Sequence, residues 1–155
     1  MDFQISALQP QQFAALFDLP PASLAQHLAV RRIASAKPGF PCRVSLQDAE
    51  VGEQLLLIHF THQDVASPYR ASHAIFVRKG VAQAQLEVGE VPSVLLSRVL
   101  SLRAFDKDAM LVNAQLCDGA RVANTLRTQL SKPAVAYVHI HFAMYGCYAC
   151  RADGV

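Results

Sequence analysis

The stretch from Tyr137 to Val155 reads Y-V-H-I-H-F-A-M-Y-G-C-Y-A-C-R-A-D-G-V and gathers many of the reactive side chains of the chain. His139 and His141 are one residue apart, and Cys147 and Cys150 are two apart. On a β-strand, side chains at i and i+2 share a face and lie ~7 Å apart at the backbone, so two imidazoles at that spacing can converge on one ion or one ligand. Alternation over Val135 to Phe142 puts Tyr137, His139 and His141 on one face and Val138, Ile140 and Phe142 on the other. The second set is a core face. The first is a polar row of three hydrogen-bonding side chains.

The cysteine pair is weaker as chemistry. A redox dithiol sits at a helix N-terminus, which lowers the pKa of its first thiol, whereas only Arg151 to Val155 follow Cys150. If this segment is a strand, residues three apart face opposite sides ~10 Å apart, beyond disulfide reach. A zinc knuckle needs a tight turn at Cys147. With no second C-x-x-C in the chain, it would have to recruit His139 and His141. The hairpin loop decides which cysteine joins the histidines. A loop of two or four residues centred on Met144-Tyr145 sets Phe142 opposite Cys147, His141 opposite Tyr148 and His139 opposite Cys150. One extra bulged residue swaps the faces and brings Cys147 beside the histidines. The sequence leaves both open.

The elements that must hold this hairpin can be read by period. Pro10 opens a short helical pattern with Phe13, Leu16 and Phe17 on one face, and Pro20-Pro21 starts another with Leu24 and Leu28. Arg43 to Leu46 reads as a short strand, Gln54 to His62 as a strand buried on both faces, and Ser72 to Arg78 as a third. Ala82 to Leu86 reads as a weak edge strand, and Val91-Pro92 introduces a short helix carrying Leu95, Leu96 and Val99. Around D-K-D-A (Asp106 to Ala109) lies a hairpin with a half-solvated strand, Met110, Val112, Ala114 and Leu116 on one face and Asn113 and Gln115 on the other. Asp118 caps a helix from about Gly119 to Leu130, which Lys132-Pro133 ends. Paired strands with few crossover helices imply α+β, a single domain over residues 1–155 with a mostly antiparallel sheet and a few short helices. The order of the strands does not follow from the sequence.

Composition narrows the function classes. With 52% hydrophobic and 17% charged residues, the chain is a compact, apolar-rich protein rather than a disordered one. No apolar run approaches the ~20 residues of a membrane helix, and the N-terminus lacks the basic and apolar regions of a signal peptide. The expected location is the cytoplasm or an equivalent reducing compartment, with Cys42, Cys117, Cys147 and Cys150 as mostly reduced thiols and Cys117 as a packing residue. A net charge of +2 with dispersed basic residues leaves no basic stripe for nucleic acid. No S-x-x-K, G-x-S-x-G, Walker-type or G-x-G-x-x-G sequence is present.

Four stretches together carry a resemblance. They are A-K-P-G-F-P-C-R-V-S-L-Q-D-A-E (Ala36 to Glu50), S-P-Y-R-A-S-H-A-I-F-V-R (Ser67 to Arg78), L-S-L-R-A-F-D (Leu100 to Asp106), and the terminal H-x-H followed by G-C-Y-A. Over nearly the whole chain they resemble the bacterial family known as domain of unknown function 1203, which has no activity to transfer. The resemblance implies that Pro41, Cys42, Arg43, His62, Ser67, Pro68, Tyr69, Arg70, His73, His139, His141, Gly146 and Cys147 belong to the family's motifs. Cys150 and His59 lie outside them.

Each polar residue also has a plain structural role to fill. His73 alternates with Ile75 and Val77, His59 with Leu57 and Thr61, Arg43 and Arg70 stand at strand mouths, and His62 can cap the loop from Gln63 to Tyr69. Taken together, Arg43, Arg70, His73, His139 and His141 are five potentially cationic donors that a sheet can gather, and such charges are not buried unpaired. The first expectation is therefore a pocket for a small anionic ligand, with Tyr69 and Tyr148 as further lining. It is open to catalysis by His139 and His141 as acid or base and Cys147 as nucleophile. The second is a transition-metal site, zinc or another, on His139 and His141 with a third ligand from His73 or a cysteine. The third is a non-enzymatic interaction module, a homodimer for example, whose histidines only brace the sheet.

Overall fold

Alternation at period two dominates the chain, and it yields eight strands. The computed structural model describes residues 1–155. In chain order the strands are β1 (Phe3–Ser6), β2 (Ala29–Ile33), β3 (Gln54–Gln63), β4 (Ala71–Arg78), β5 (Val99–Phe105), β6 (Leu111–Asp118), β7 (Tyr137–Phe142) and β8 (Tyr148–Gly154). The helices are α1 (Pro21–Gln26), α2 (Ser93–Leu96) and α3 (Val122–Leu130), with 3-10 turns at Pro10–Gln12, Ala14–Asp18 and Gly119–Arg121. Pairing sorts the strands into a five-stranded sheet, β1-β8-β7-β5-β6, and a three-stranded one, β2-β3-β4, both antiparallel throughout. This is the α+β class that the sequence implies. No helix is long and apolar enough to cross a membrane.

One face of the larger sheet is sealed by α3. Val122, Leu126 and Leu130 of the helix meet Leu100, Leu102, Val138, Ile140 and Phe142 of the strands, together with Cys147, Cys150 and Ala152. Each aliphatic side chain so buried contributes about 1.5–3 kcal/mol. A second core, built from Phe13, Phe17, Leu24, Val44, Leu56, Ile58, Ile75 and Val77, fills the space between the N-terminal turns and the smaller sheet. The opposite face of the larger sheet carries Tyr137, His139 and His141, as alternation requires. The end of β3 comes to rest against it.

Several local expectations are corrected by tertiary context. Arg43–Leu46 is a turn held by single bridges, Pro41 to Asp48 and Cys42 to Phe76, because Phe76 already belongs to β4 and leaves no free ladder. Ala82–Leu86 forms no strand, and its only main-chain to main-chain bond with a neighbouring segment is from Ala84 N–H to the Val44 carbonyl at 2.8 Å. Val99 opens β5 rather than closing α2. Asp118 stands before the 3-10 turn but its side chain bonds no helical N–H. In β6 the polar set lies on the α3 side: half-buried Asn113 and still-exposed Gln115 bond the buried Gln129 of α3, while Val112 and Leu116 are solvated, Leu116 being 67% exposed. The amides are drawn in because α3 offers them a buried amide partner. The outer apolar row is tolerated at a sheet edge.

Irregularities concentrate around the histidines. β3 slips register between Thr61 and Gln63, which leaves His62 as the extra, unpaired residue. β8 slips between Cys150 and Tyr148, opposite Ile140 and His141, which makes Ala149 the extra residue there. β6 slips beside Phe105. A bulge sets two residues against one on the partner strand and re-aims side chains; the β3 bulge carries His62 itself and the β8 bulge lies on the strand next to His139 and His141.

Candidate metal centre

Two strands and one bulge bring three imidazoles together. His139 and His141 come from consecutive positions on one face of β7, and His62 enters from the bulge of β3. Their ring centroids are 5.8 Å (His62 to His139), 5.0 Å (His62 to His141) and 6.4 Å (His139 to His141) apart. One ring nitrogen from each lies within 4.8 Å of the others. His139 and His141 are buried and His62 is half-buried.

The bonding of the rings is uneven. Nδ1 of His141 lies 2.8 Å from the Gly146 carbonyl, which can only accept, so this nitrogen carries the proton and Nε2 holds the free lone pair. Nδ1 of His62 and Nδ1 of His139 are buried and have no hydrogen-bond partner in the chain. Leaving such an atom unpaired costs about 1–3 kcal/mol.

All three rings are neutral near pH 7. Burial pulls His139 down to about 3, assisted by the charges of His141, His62, Arg151 and Arg103. Burial likewise takes His141 to about 3 against the opposing pull of the Gly146 carbonyl, with Arg103 and His62 adding to the depression. His62 falls to about 4 through burial and then the charges of Arg103 and His73. A proton-free imidazole is the form that ligates a metal.

Aromatic rings wall the trio. Tyr148, opposite His141, stacks on His62 at 5.0 Å and 6° and stands edge-on to His139 at 5.1 Å. Phe105 and Tyr137 meet the far edge of His139 at 5.4 and 5.3 Å. Gln63, the residue after the bulge, donates from Nε2 to the Tyr137 hydroxyl at 2.7 Å and so fastens β3 to β7.

The other residues singled out from the sequence go to different places. His73 lies across from Phe60 on β4, on the face that leads to His62. Its Nδ1 is 3.2 Å from the Ala74 carbonyl, and it is near enough to His62 and His141 to oppose their protonation. Tyr69 is exposed at the rim and touches Phe105 at 6.1 Å. Arg70 is exposed, bonded to the Val65 carbonyl and paired with Asp64. Arg43 is buried on the Phe142 side, where Nε donates to the Tyr148 carbonyl at 2.7 Å and Nη1 to the Pro41 carbonyl at 2.6 Å, with the guanidinium over the Phe142 ring.

Cys147 also lies away from the trio. It is opposite Phe142, which donates its N–H to the Cys147 carbonyl at 3.0 Å, and its side chain belongs to the α3 core. Cys150 is opposite Ile140 in the same core, where burial pushes its thiol up to about 12. Neither cysteine supplies a thiolate to the histidines. The hairpin keeps His141 opposite Tyr148, as a short loop demands, but the Ala149 bulge moves Arg151 rather than Cys150 opposite His139.

The gathering of Arg43, Arg70, His73, His139 and His141 around one hollow is thus not what the chain builds. It builds a compact three-histidine cluster with His73 at the rim. His62 was within reach of sequence reasoning, since it continues the Leu56, Ile58, Phe60 alternation and belongs to the motifs of the resemblance. Arg103 was not singled out, and it faces the cluster from β5, directly opposite His139.

Comparison with family models decides the relationship. Residues 39–153 match the model described as "Protein of unknown function (DUF1203)". The chain belongs to the DUF1203 family. The match spans all three histidines, Arg103 and both bulges that shape the cluster. Comparison with curated proteins and with solved structures finds no match. For this DUF1203 protein, function must be argued from the cluster itself.

Proposed function

We propose that His62, His139 and His141 form a transition-metal centre, most naturally for zinc, that keeps one coordination position for an exchangeable ligand. The observation that carries this reading is the pair of buried, unpartnered Nδ1 atoms on His62 and His139, beside a third ring whose Nδ1 proton is committed to the Gly146 carbonyl. A metal-ligating histidine generally gives its other ring proton to a carbonyl, carboxylate or water, which is what His141 does. Three imidazoles that are neutral at pH 7 supply lone pairs without first losing protons.

The donor set narrows the metal. Three neutral nitrogens without a carboxylate differ from the two-histidine, one-carboxylate set of non-haem iron enzymes, and suit zinc, copper or nickel. Three ligands rather than four is the arrangement of zinc sites that exchange a water or a substrate. Zinc–nitrogen bonds of ~2.0–2.1 Å bring tetrahedral donors to about 3.3 Å from one another. From within 4.8 Å the rings would therefore close by about 1.5 Å at most. Small turns about the side-chain torsions cover that distance, and the His62 bulge is free of ladder bonds that would oppose it.

The test uses untagged full-length protein, stripped with chelator and titrated with zinc against a chromophoric competitor. One zinc per chain is expected, with affinity reduced at least about 100-fold in His62→Ala and His139→Leu, since loss of a direct ligand should exceed the 10–100-fold typical of outer-shell changes. Absence of stoichiometric zinc, copper or nickel in the wild type, or undiminished binding by both variants, overturns the reading.

A further inference from the structure

We propose that the ligand completing this centre is a small molecule bearing an oxyanion, a carboxylate or a phosphate, held by the metal through one oxygen and by Arg103 through another. This inference rests on the metal-centre reading and names what the open position takes.

Three neutral imidazoles leave the full charge of a divalent ion uncompensated, and the cluster contains no carboxylate or thiolate. Arg103 adds a further positive charge on the same face. The carboxylate nearest in register is Asp153, opposite Tyr137, and it is already committed to Arg151 through contacts of 2.6–3.0 Å. A metal ion and a guanidinium in a half-buried site need an anion between them, because burying like charges without a counter-charge is strongly unfavourable.

Arg151, the other arginine opposite His139, is occupied by Asp153, and on the far face of the sheet Arg43 is held by two carbonyls and Arg98 by Asp48. Arg103 is half-buried, and its guanidinium has no hydrogen-bond or ion-pair partner within the chain. It stands directly opposite His139, and in such cross-strand pairs the Cβ atoms are ~4.5–5.5 Å apart. Its charge is felt by His62, His139 and His141 alike. A planar guanidinium with a free fork beside an open metal position matches the two-oxygen geometry of a carboxylate or phosphate.

The end of β3 packs over His139, His141 and Tyr148, and Ser67 and Tyr69 meet Ala109 and Phe105, whereas beyond Arg103 and Ser101 the same face continues into their solvated β6 partners Ala114 and Leu116. Arg103 and Ser101, opposite His139 and His141 respectively, stand at that boundary. An incoming anion meets the guanidinium before it meets the imidazoles. The Ser101 hydroxyl, which has no partner within the chain, stands beside His141 on that route.

The experiment loads the full-length protein with cobalt(II) and follows its visible absorption while acetate, inorganic phosphate or azide is added. Acetate or phosphate is expected to shift the spectrum. Arg103→Gln should weaken that oxyanion about 10- to 100-fold, the scale of losing one charge-assisted pair. Cobalt uptake should be retained or strengthened, since a positive charge beside the ion is removed; azide, which has no second oxygen for Arg103, should weaken less than the oxyanion, and Arg103→Lys should lie between. Preference for acetate assigns a carboxylate ligand, and preference for phosphate assigns a phosphorylated one. If cobalt binds but neither oxyanion perturbs the wild-type spectrum, or if Arg103→Gln keeps full oxyanion affinity, this inference fails and the metal centre stands. If the wild type takes up no cobalt, both readings fall.

Discussion

Arg43 and His139 lie on opposite sides of the β7–β8 hairpin at nearly the same depth, 2% and 3% exposed. Both are polar, both lie within the span matched by the family, and from the sequence both are candidates for one site. Their bonding separates them. The guanidinium of Arg43 spans two main-chain carbonyls and covers an aromatic face, so its burial is compensated from within the chain. His139 has an edge-on aromatic surround and an unpartnered Nδ1, so its burial is compensated only in part. Depth alone does not mark a functional residue. A buried polar atom with nothing to bond to is the better sign, because folding selects against it unless something outside the chain completes it.

Substitution at the two positions should give opposite results. Arg43→Met leaves the Tyr148 and Pro41 carbonyls without their donor, and its expected cost is about 3 kcal/mol or more in urea denaturation. His139→Leu removes an unsatisfied nitrogen, so the metal-free protein should stay within about 1 kcal/mol of wild type or gain stability, while zinc binding collapses. If His139→Leu costs as much as Arg43→Met, the ring is ordinary core and the contrast disappears.

Acid should separate the two sides in sequence. In the metal-free protein the folded imidazoles resist protonation down to about pH 4 for His62 and about pH 3 for His139 and His141. In the unfolded chain they take protons below about pH 6.5. The unfolded state therefore binds more protons in that window, and stability falls as pH drops from about 6.5. On the other side, Arg98 covers the same Phe142 ring as Arg43 and pairs with Asp48. Burial acts to raise the Asp48 pKa, but the bonds from Arg98 and the Gly39 N–H, with the Arg98 charge, hold it below its ordinary 3.8. That contribution is complete above 3.8 and is lost as pH falls through the lower folded value. Urea midpoints measured across pH should show His139→Leu flattening the first decline and Asp48→Asn removing only the second. A wild-type midpoint that stays level from about pH 7 to 4.5 contradicts the neutral, proton-resisting trio.

A smaller effect tests the support rather than the ligands. Gly146 holds φ at +75° in the hairpin turn, with open space where a Cβ would go, and its carbonyl fixes the His141 ring. Gly146→Ala should cost about 1–2 kcal/mol from backbone strain alone. It should also weaken zinc by a few-fold through the loosened acceptor. Unchanged affinity would mean that the carbonyl plays no part in orienting the ring.

Much of the centre is written locally, and what is not depends on partners far along the chain. The H-x-H row follows from alternation in β7, and that strand delivers it with Val138, Ile140 and Phe142 on the α3 side as expected. The phase slip of β8 is also present in the letters C-Y-A-C-R-A-D. Cys147, Ala149, Cys150 and Ala152 are buried in the α3 core, so alternation breaks once, and the slip keeps Arg151 and Asp153 out of that core. His62 is different. Its role needs the β3 bulge and the docking of one sheet end on the other sheet, neither of which has a local signature. Arg43 and Arg103 look alike as isolated arginines. Only the strand order, which puts β5 beside β7, brings the second to the histidines and leaves the first on the Phe142 side. The α3-side Asn113 and Gln115 of β6 follow the same lesson, since their reason is Gln129, an amide on a helix that no strand pattern predicts.

The aromatic wall of the cluster gives the molecule an optical property of its own. The chain has four tyrosines and no tryptophan, and Tyr137 and Tyr148 are both in ring contact with the trio. Half of its native fluorophores therefore stand about one ring-width from the imidazoles, with no brighter indole to mask them. A paramagnetic guest in that position darkens the protein's own ultraviolet emission, so occupancy can be read without any label.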